Sequence, residues 1–338
     1  MGSQIRLAVV GLVHDHVWNM LPQFRDTGAV RFVAAVDPNL PLRERARAEY
    51  GFEALPPDLD GLWALQPDAV LCCTANSDTA TVVEACADHG VAVMVEKPLA
   101  ANLGQARRIA KAAARANIPV MCNWPTAWDA RLRHAVQLAR AGALGELYTL
   151  RYRAAHAGPR EIGCSEYFYS WLYDAERNGA GALMDYCCYG AALACWVLGE
   201  PTTVTGVRGR LVKTDITVDD NAILLLQYPH AFSVAEASWT QAGSRPGGLQ
   251  LLGERAGLLI ERGQLWQVDA DHPDGIAIEV PALPATACNG PTAFLEGLRQ
   301  GRAPEGLCSL GVAVSAQRVL EAGLLATRSG RAVAPASL

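Results

Sequence analysis

The chain has 338 residues, of which 51% are hydrophobic and 19% charged, and its formal net charge is -5. This length and composition allow a sizeable core and favour two domains. No cluster of lysine and arginine stands out, which argues against a nucleic-acid partner. The longest apolar runs are strand-sized, which argues against a membrane-spanning helix.

The cysteines bear on metal binding and on the cellular compartment. There are ten of them, scattered or adjacent, and none stands at the spacing of a zinc site. We therefore predict reduced thiols and no metal site. The first residues lack the charged and apolar regions of a signal peptide, and together these features predict a cytoplasmic protein.

The first 125 residues alternate between apolar, β-branched runs and amphipathic segments with helical periodicity. The apolar runs are residues 5–10, 32–36, 69–73, 91–95 and 119–122, and the helical segments are residues 17–25, 41–50, 79–89 and 103–115. Such alternation is typical of βαβ units. It predicts an α/β fold with a Rossmann-type, doubly wound parallel sheet over residues 1–125.

The pattern changes from residue 147 onward, where apolar and polar residues alternate with a period of two. The strand-like runs are residues 147–156, 204–212, 222–228, 232–238, 249–253 and 258–261, with helices predicted over residues 181–198, 291–300 and 310–328. We predict a second α/β domain over residues 126–338, built on a mostly antiparallel open sheet. The C-terminal helix is free to pack back on the first domain.

The loop after the first predicted strand reads G-L-V-H-D-H, residues 11–16, where a dinucleotide-binding protein carries G-x-G-x-x-G. Gly11 matches, whereas Val13 and His16 replace the second and third glycines. Amides at a helix N-terminus attract an anion whatever the side chains are. We interpret the loop as a modified pyrophosphate site formed by Gly11, Val13 and His14. The alternative is a pair of histidines at an ordinary helix start.

Two further stretches follow predicted strands, at the edge where a doubly wound sheet binds ligands. Asp37 ends the second strand, where a carboxylate binds the adenosine ribose and disfavours a 2′-phosphate. This predicts NAD, with NADP possible because Arg43 and Arg45 follow. Thr74 and Asn76 follow the third strand and are predicted cofactor contacts. Both stretches also suit a turn or a helix cap.

The motif E-K-P, residues 96–98, follows the fourth predicted strand. A lysine at this place points toward the nicotinamide end of the cleft, where its ammonium binds a substrate hydroxyl and stabilises a developing alkoxide. Glu96 either holds Lys97 or contacts the nicotinamide ribose. We therefore assign Glu96 and Lys97 to the cofactor site, and Lys97 also to catalysis.

Four segments make the chain resemble the Gfo/Idh/MocA family, the glucose–fructose oxidoreductase and inositol dehydrogenase relatives, over nearly its whole length. They are residues 68–100, 141–153, 178–190 and 218–241. The resemblance implies a Rossmann domain and an α/β domain whose open sheet often forms an oligomer interface. It also implies NAD(P)-dependent oxidation or reduction of a sugar, cyclitol or related polyol.

The resemblance gives roles to residues in the segment N-G-A-G-A-L-M-D-Y-C-C-Y-G. Asp185 matches the family's substrate-binding aspartate, and Tyr189 stands where the family has His or Tyr. Residues four apart on a helix share a face. A nearby Lys97 ammonium would lower the Tyr189 pKa from about 10 toward neutrality, which makes Lys97, Tyr189 and Asp185 the catalytic group. The alternative is a buried helix pair with structural hydrogen bonds.

Other positions depart from the family pattern. Asn123 keeps a cofactor-facing role after the fifth strand, and Trp124 either stacks on the nicotinamide or a sugar, or packs in the core. His156 is a candidate substrate contact. Residues 158–178 are rich in aromatics and predict a long loop, which is either a lid or an oligomer seam.

The leading hypothesis is an NAD(P)-dependent oxidoreductase that acts on a CH–OH group of a sugar, cyclitol or polyol. One alternative is a redox-neutral enzyme, such as a glycosidase or epimerase acting by transient oxidation. Another is a non-catalytic ligand sensor, which the altered glycine loop would suit. We expect a small-molecule substrate and a homo-oligomer, dimer or tetramer, formed through the second sheet.

Overall fold

The computed structural model describes residues 4–243 and 248–338. The first half of the chain forms a sheet of five parallel strands with helices on both faces. The strands are β1 (Ile5–Val10), β2 (Val30–Val36), β3 (Ala69–Cys72), β4 (Ala92–Glu96) and β5 (Val120–Asn123), in the spatial order β2-β1-β3-β4-β5. The helices are α1 (His16–Asp26), α2 (Leu40–Tyr50), α3 (Thr79–Asp88) and α4 (Leu103–Ala116).

The predicted doubly wound parallel sheet is confirmed. The reason is burial on both faces: every residue of β3, β4 and β5 is buried, as a sheet covered by helices requires. A parallel bridge between Ala34 and Ala54 extends the β2 edge by one short segment. Because the strands are parallel, the loops after β1, β3 and β4 meet at one edge.

The second half of the chain forms an eight-stranded sheet. Its strands are β6 (Leu147–Ala155), β7 (Thr203–Gly209), β8 (Asn221–Gln227), β9 (Phe232–Ser238), β10 (Leu249–Gly253), β11 (Ala256–Glu261), β12 (Gln264–Asp269) and β13 (Ile276–Ala277). The spatial order is β13-β12-β11-β10-β6-β9-β8-β7, and only the β6–β9 pair is parallel among the paired strands. The predicted mostly antiparallel sheet is confirmed. Sequence periodicity missed β12 and β13, because β12 lies near the edge and is half-buried on both faces.

The helices of this half are α5 (Ala130–Arg140), α6 (Glu166–Leu172), α7 (Ala175–Asn178), α8 (Cys188–Leu198), α9 (Gly290–Arg299) and α10 (Leu310–Ser329). The predicted long loop over residues 158–178 is wrong, since it contains α6 and α7. Both are too short to show a period, but Ser165 and Asp174 cap their N-termini in the expected way. The helix predicted over residues 181–198 begins with a π-helical turn, Leu183–Cys187, before α8.

One helical stretch, Ala175–Leu198, is long and apolar enough to cross a membrane by length and composition alone. The fold accounts for this apolar stretch without a membrane, because 72% of its most apolar 18-residue part is buried inside the protein. It therefore behaves as a core helix, on which the second sheet packs.

The C-terminal helix α10 ties the two halves together. It packs on α8 and β7 of the second half and on α4 and β5 of the first. The Leu103 amide at the start of α4 donates a hydrogen bond of 3.2 Å to Glu321 Oε2 on α10. These contacts hold the two halves of the chain together.

Candidate active site

A buried ion pair joins the two halves at the carboxyl end of β4. Lys97 Nζ donates to Asp185 Oδ1 at 2.5 Å and to the Asp185 carbonyl oxygen at 3.0 Å. Trp239 Nε1 donates to the other carboxylate oxygen, Oδ2, at 3.1 Å. The two predicted catalytic residues therefore meet although they are 88 positions apart in the chain.

Electrostatics keep both members of this pair charged. Burial alone would lower the pKa of Lys97, but the Asp185 carboxylate outweighs it and raises that pKa well above its ordinary value. Burial alone would raise the pKa of Asp185, but the Lys97 ammonium and its hydrogen bond lower it. The site thus offers an ammonium donor and a carboxylate acceptor side by side.

Aromatic rings enclose the ammonium. Lys97 Nζ lies 4.8 Å from the ring centroid of Tyr189 and 5.5 Å from that of Tyr186, within cation–π range. Trp124 packs edge-on against Tyr189, with the ring centroids 5.9 Å apart. The rings exclude water and thereby strengthen the ion pair.

The predicted effect of Lys97 on Tyr189 is wrong. Burial raises the pKa of Tyr189 well above 10, and the neighbouring Cys188, Asp185 and Glu96 raise it further. The Lys97 charge faces the ring and is balanced by Asp185. Tyr189 is therefore a neutral phenol over the physiological pH range, a proton donor rather than a ready base.

Glu96 is fixed by three donors around its carboxylate. Asn123 Nδ2 donates to Oε1 at 2.5 Å, and the Lys97 amide donates to Oε2 at 3.2 Å. His16 Nδ1 lies 3.1 Å from Oε2. Asn123, predicted as a cofactor contact, thus orients Glu96, and its own oxygen accepts from Trp128 Nε1 at 2.9 Å.

The modified loop keeps the backbone of a pyrophosphate site. Gly11 has φ +83°, and a Cβ there would lie 2.6 Å from the Thr74 amide nitrogen, so only glycine fits. Among the described residues, no group accepts a hydrogen bond from the amides of Val13 and Asp15. These two unpaired donors at the start of α1 suit a pyrophosphate. The residues present therefore fit the dinucleotide that the fold implies.

The side chains of the loop hold α6 rather than pointing into solvent. Asp15 Oδ2 and Oδ1 accept from the Ser165 amide and hydroxyl, each at 2.6 Å. The buried His14 ring packs on Phe168 and Trp171, with centroid distances of 4.4 and 5.6 Å. The aromatic segment over residues 158–178 therefore covers the cofactor loop.

Three of the other predicted cofactor contacts have partners within the protein. Asp37 Oδ2 accepts from the Leu12 amide at 2.7 Å, and its Oδ1 accepts from the Asn39 amide at 2.7 Å. Thr74 lies directly against Gly11. Asn76 Nδ2 donates a hydrogen bond of 2.8 Å to Asn178 Oδ1, so Asn76 links the two halves of the chain.

The predicted substrate contacts differ in their surroundings. Trp124 is almost fully buried behind Tyr189, which favours the packing interpretation. His156 is half-buried and stacks edge-on with Tyr186 at 4.8 Å, and its Nδ1 accepts from the Gly158 amide at 2.8 Å. Burial lowers the pKa of His156, so its neutral form presents an Nε2–H donor.

Sequence reasoning missed Trp239, Tyr186 and the Asp15–Ser165 contact. Trp239 lies within E-A-S-W-T-Q, part of the family-like segment 218–241, and this position could have marked it as a site residue. Tyr186 is adjacent to Asp185 in the π-helical turn, and its ring faces Lys97 at 5.5 Å, which no local pattern of the sequence predicts. Nothing in the sequence connects Asp15 with Ser165, which are 150 positions apart.

Two protein-family profiles match the chain. An oxidoreductase family with an NAD-binding Rossmann fold matches residues 5–124, and the Gfo/Idh/MocA C-terminal domain matches residues 132–259. The chain belongs to the Gfo/Idh/MocA family. The profile matched by the first half of the chain describes an oxidoreductase family with an NAD-binding Rossmann fold, and the family resemblance of the sequence is confirmed.

Individual relatives of this Gfo/Idh/MocA protein are distant. A D-apiose dehydrogenase from Paraburkholderia graminis is 27% identical over 236 residues, which cover 69% of this chain but only 58% of that relative. An oxidoreductase from Agrobacterium radiobacter, solved with NAD+, L-tartaric acid and magnesium, has a TM-score of 0.82 at 19% identity over 99% of each chain. An aldose–aldose oxidoreductase from Caulobacter crescentus, complexed with glycerol, has a TM-score of 0.83 at 22% identity over 98% of this chain and 100% of its own. At such identities the two structures show a shared fold.

Proposed function

We propose that the protein is an NAD-dependent dehydrogenase or reductase that acts on a CH–OH group of a sugar, cyclitol or related polyol. The Lys97–Asp185 pair carries this proposal, because it sets a buried ammonium donor beside a buried carboxylate acceptor at the end of β4. This combination suits two adjacent hydroxyls of a polyol, one as acceptor and the other as donor. The D-apiose dehydrogenase relative supports a sugar substrate.

NAD, when bound, supplies the hydride acceptor or donor. Lys97 then binds the reacting oxygen and stabilises the negative charge that develops on it, while Asp185 accepts a hydrogen bond from a neighbouring hydroxyl. Tyr189 exchanges the proton with the reacting oxygen. His156 donates from Nε2 to a further substrate oxygen.

The protonation state of Tyr189 favours one direction at neutral pH. A phenol with a raised pKa stays protonated near neutrality, which is the form that donates a proton to a carbonyl being reduced. It takes up a proton only after it has been deprotonated at high pH. We therefore propose carbonyl reduction as the faster direction near neutrality, with alcohol oxidation favoured at alkaline pH.

Preference for NAD over NADP is also part of the proposal. Asp37 stands where a 2′-phosphate would lie against a carboxylate. Arg45 stacks on Trp18 with its guanidinium 3.8 Å from the ring centroid and donates to Glu49, and Arg43 donates to the Leu55 carbonyl oxygen. Both candidate phosphate-binding arginines therefore have other partners.

A binding test comes first. Thermal shift with NAD, NADH, NADP and NADPH at millimolar concentration is expected to give the largest stabilisation with NAD or NADH. Sugars, inositols and sugar acids are then screened, in both directions, by NADH absorbance. No stabilisation by any of the four nucleotides would overturn the redox proposal. Formation of free sugar without net NADH would instead support the redox-neutral alternative.

We also propose a homo-oligomer formed through the outer face of the second sheet. Ile223 and Leu225 on β8 and Phe232 on β9 lie on that face and are 42%, 40% and 38% exposed. Neighbouring apolar side chains of this size favour contact with another subunit. The ten free cysteines support a reducing, cytoplasmic location.

A further inference from the structure

Three potential metal ligands meet beneath the modified glycine loop. One ligand atom each from His14, His16 and Glu96 lies within 4.8 Å of the others. His14 is in the loop after β1, His16 begins α1, and Glu96 ends β4. His14 and Glu96 are buried, whereas the His16 side chain is 32% exposed.

The two buried members of this cluster are held in place. Asn123 and the Lys97 amide fix the Glu96 carboxylate, and Phe168 and Trp171 fix the His14 ring. In other metal sites, removing a residue that orients a ligand typically weakens metal affinity by about 10–100-fold. The third member, His16, is partly exposed, and its Nδ1 lies 3.1 Å from Glu96 Oε2.

The chemistry of the donors suits a transition metal. The His14 and His16 rings lie side by side, with their centroids 4.6 Å apart, and imidazole nitrogens are common ligands of transition metals. Two imidazoles and one carboxylate are a common set for zinc and for related divalent ions. Neither Mg²⁺ nor Ca²⁺ prefers such a nitrogen-rich set.

We propose that His14, His16 and Glu96 bind a divalent transition-metal ion of the zinc class. Ligand atoms on one tetrahedral ion are separated by about 3.4 Å, given metal–ligand bonds of about 2.0–2.1 Å. His16 Nδ1 and Glu96 Oε2 are already 3.1 Å apart. All three ligand atoms lie within 4.8 Å of one another, so binding one ion requires them to move closer by at most about 1.4 Å.

Three protein ligands leave one coordination position of such an ion for water or another exogenous ligand. The site shares His14 and Glu96 with the predicted cofactor site but goes beyond the proposed dehydrogenase function. Metal binding is measured without NAD or substrate, so its failure is distinguishable from failure of that function. Metal binding would also explain why this loop carries His14 and His16, the latter in place of the third glycine of the fingerprint.

Metal binding is measured on the full chain after dialysis against a chelator. The protein is titrated with Zn²⁺ in a calorimeter and with Co²⁺ by visible absorption, whose intensity reports tetrahedral coordination. We expect one ion per chain with a Kd in the micromolar range or below. His16→Gln and Glu96→Gln should each weaken binding by more than the roughly 10–100-fold cost of losing an orienting partner.

Two control variants distinguish binding at the proposed site from binding at exposed surface ligands. His272→Gln removes an exposed imidazole that lies 3.0 Å from Asp269, and Cys288→Ser removes an exposed thiol. Both should leave the tight site unchanged. The proposal is overturned if the wild-type protein binds no ion, or if His16→Gln and Glu96→Gln, shown to be folded by circular dichroism, bind as tightly as the wild type.

Discussion

The buried Lys97–Asp185 pair is the proposed catalytic pair, and removing one of its charges should affect both turnover and stability. Lys97→Met leaves the Asp185 carboxylate buried without its partner, which typically costs about 3–5 kcal/mol. We expect the free energy of unfolding to fall by that order and turnover to fall by about 10²–10³, since the oxyanion loses its donor. Denaturant titration and NADH-coupled assays measure the two effects.

The double variant Lys97→Met with Asp185→Asn is the control for this prediction. It removes both charges, so its loss of stability should be smaller than that of Lys97→Met alone. The turnover should stay low, because the donor is still missing. Equal destabilisation of the single and double variants would contradict the assignment of a buried charged pair.

The same pair predicts how stability depends on pH. The pKa of Asp185 is lowered in the folded state, so its contribution is complete above the unfolded value of about 3.9 and is lost as pH falls through the folded value. The pKa of Lys97 is raised, so its contribution is complete below about 10.4 and is lost as pH rises through the folded value. The stability difference between wild type and the double variant should therefore stay constant between about pH 5 and pH 9. A marked change within that window, in unfolding titrations, would contradict the prediction.

The raised pKa of Tyr189 predicts how the rate of catalysis depends on pH. Because burial raises its pKa well above 10, alcohol oxidation should become faster with rising pH and reach no plateau below pH 10. Tyr189→Phe should lower turnover by about 10²–10⁴ and abolish this dependence while leaving NAD affinity nearly unchanged. A plateau near pH 7 to 8 in the wild-type profile would mean that another group takes the proton.

At the scale of elements, α6 is docked onto the cofactor loop by the Asp15–Ser165 contact. Asp15→Ala removes both hydrogen bonds and should cost about 1–3 kcal/mol, with faster amide exchange across residues 165–172. Ser165→Ala keeps the backbone donor and should cost about 1 kcal/mol. Hydrogen exchange with mass spectrometry measures both.

Asp174→Ala is a matched control for the α6 prediction. It removes only the cap of α7, where Asp174 Oδ1 accepts from the Glu176 and Arg177 amides. Exchange should then change near α7 and not in α6. If Asp15→Ala leaves α6 as protected as in the wild type, the apolar packing of Phe168 and Trp171 on His14 holds the helix instead.

At the scale of the whole molecule, the second sheet has an outer face with exposed apolar side chains. Ile223→Glu together with Leu225→Glu places charges on that face and should convert the expected dimer or tetramer to a monomer. Light scattering coupled to size-exclusion chromatography measures the mass. Leu40→Glu, at an exposed apolar position on α2, should leave the mass unchanged. A monomeric wild-type protein would overturn the proposed assembly.

Local pattern and family segments were enough to determine the architecture. Strands buried on both faces, such as β4, read as continuous apolar runs, and half-buried strands, such as β8, alternate with a period of two. Both sheets therefore follow from the sequence, apart from β12 and β13 at one end of the second sheet. So does the importance of E-K-P and of Asp185, because they stand at the ends of predictable elements or inside family-like segments.

Only the tertiary structure decided which groups face one another. The direction of the Tyr189 pKa shift depends on burial and on where the Lys97 charge lies, and neither is visible along the chain. The contacts of Asp15 with Ser165 and of His16 with Glu96 join distant segments, which no local periodicity encodes. Sequence by itself determined the frame and the residues that border the cleft. The fold decided their charges and partners, because these depend on long-range packing and desolvation.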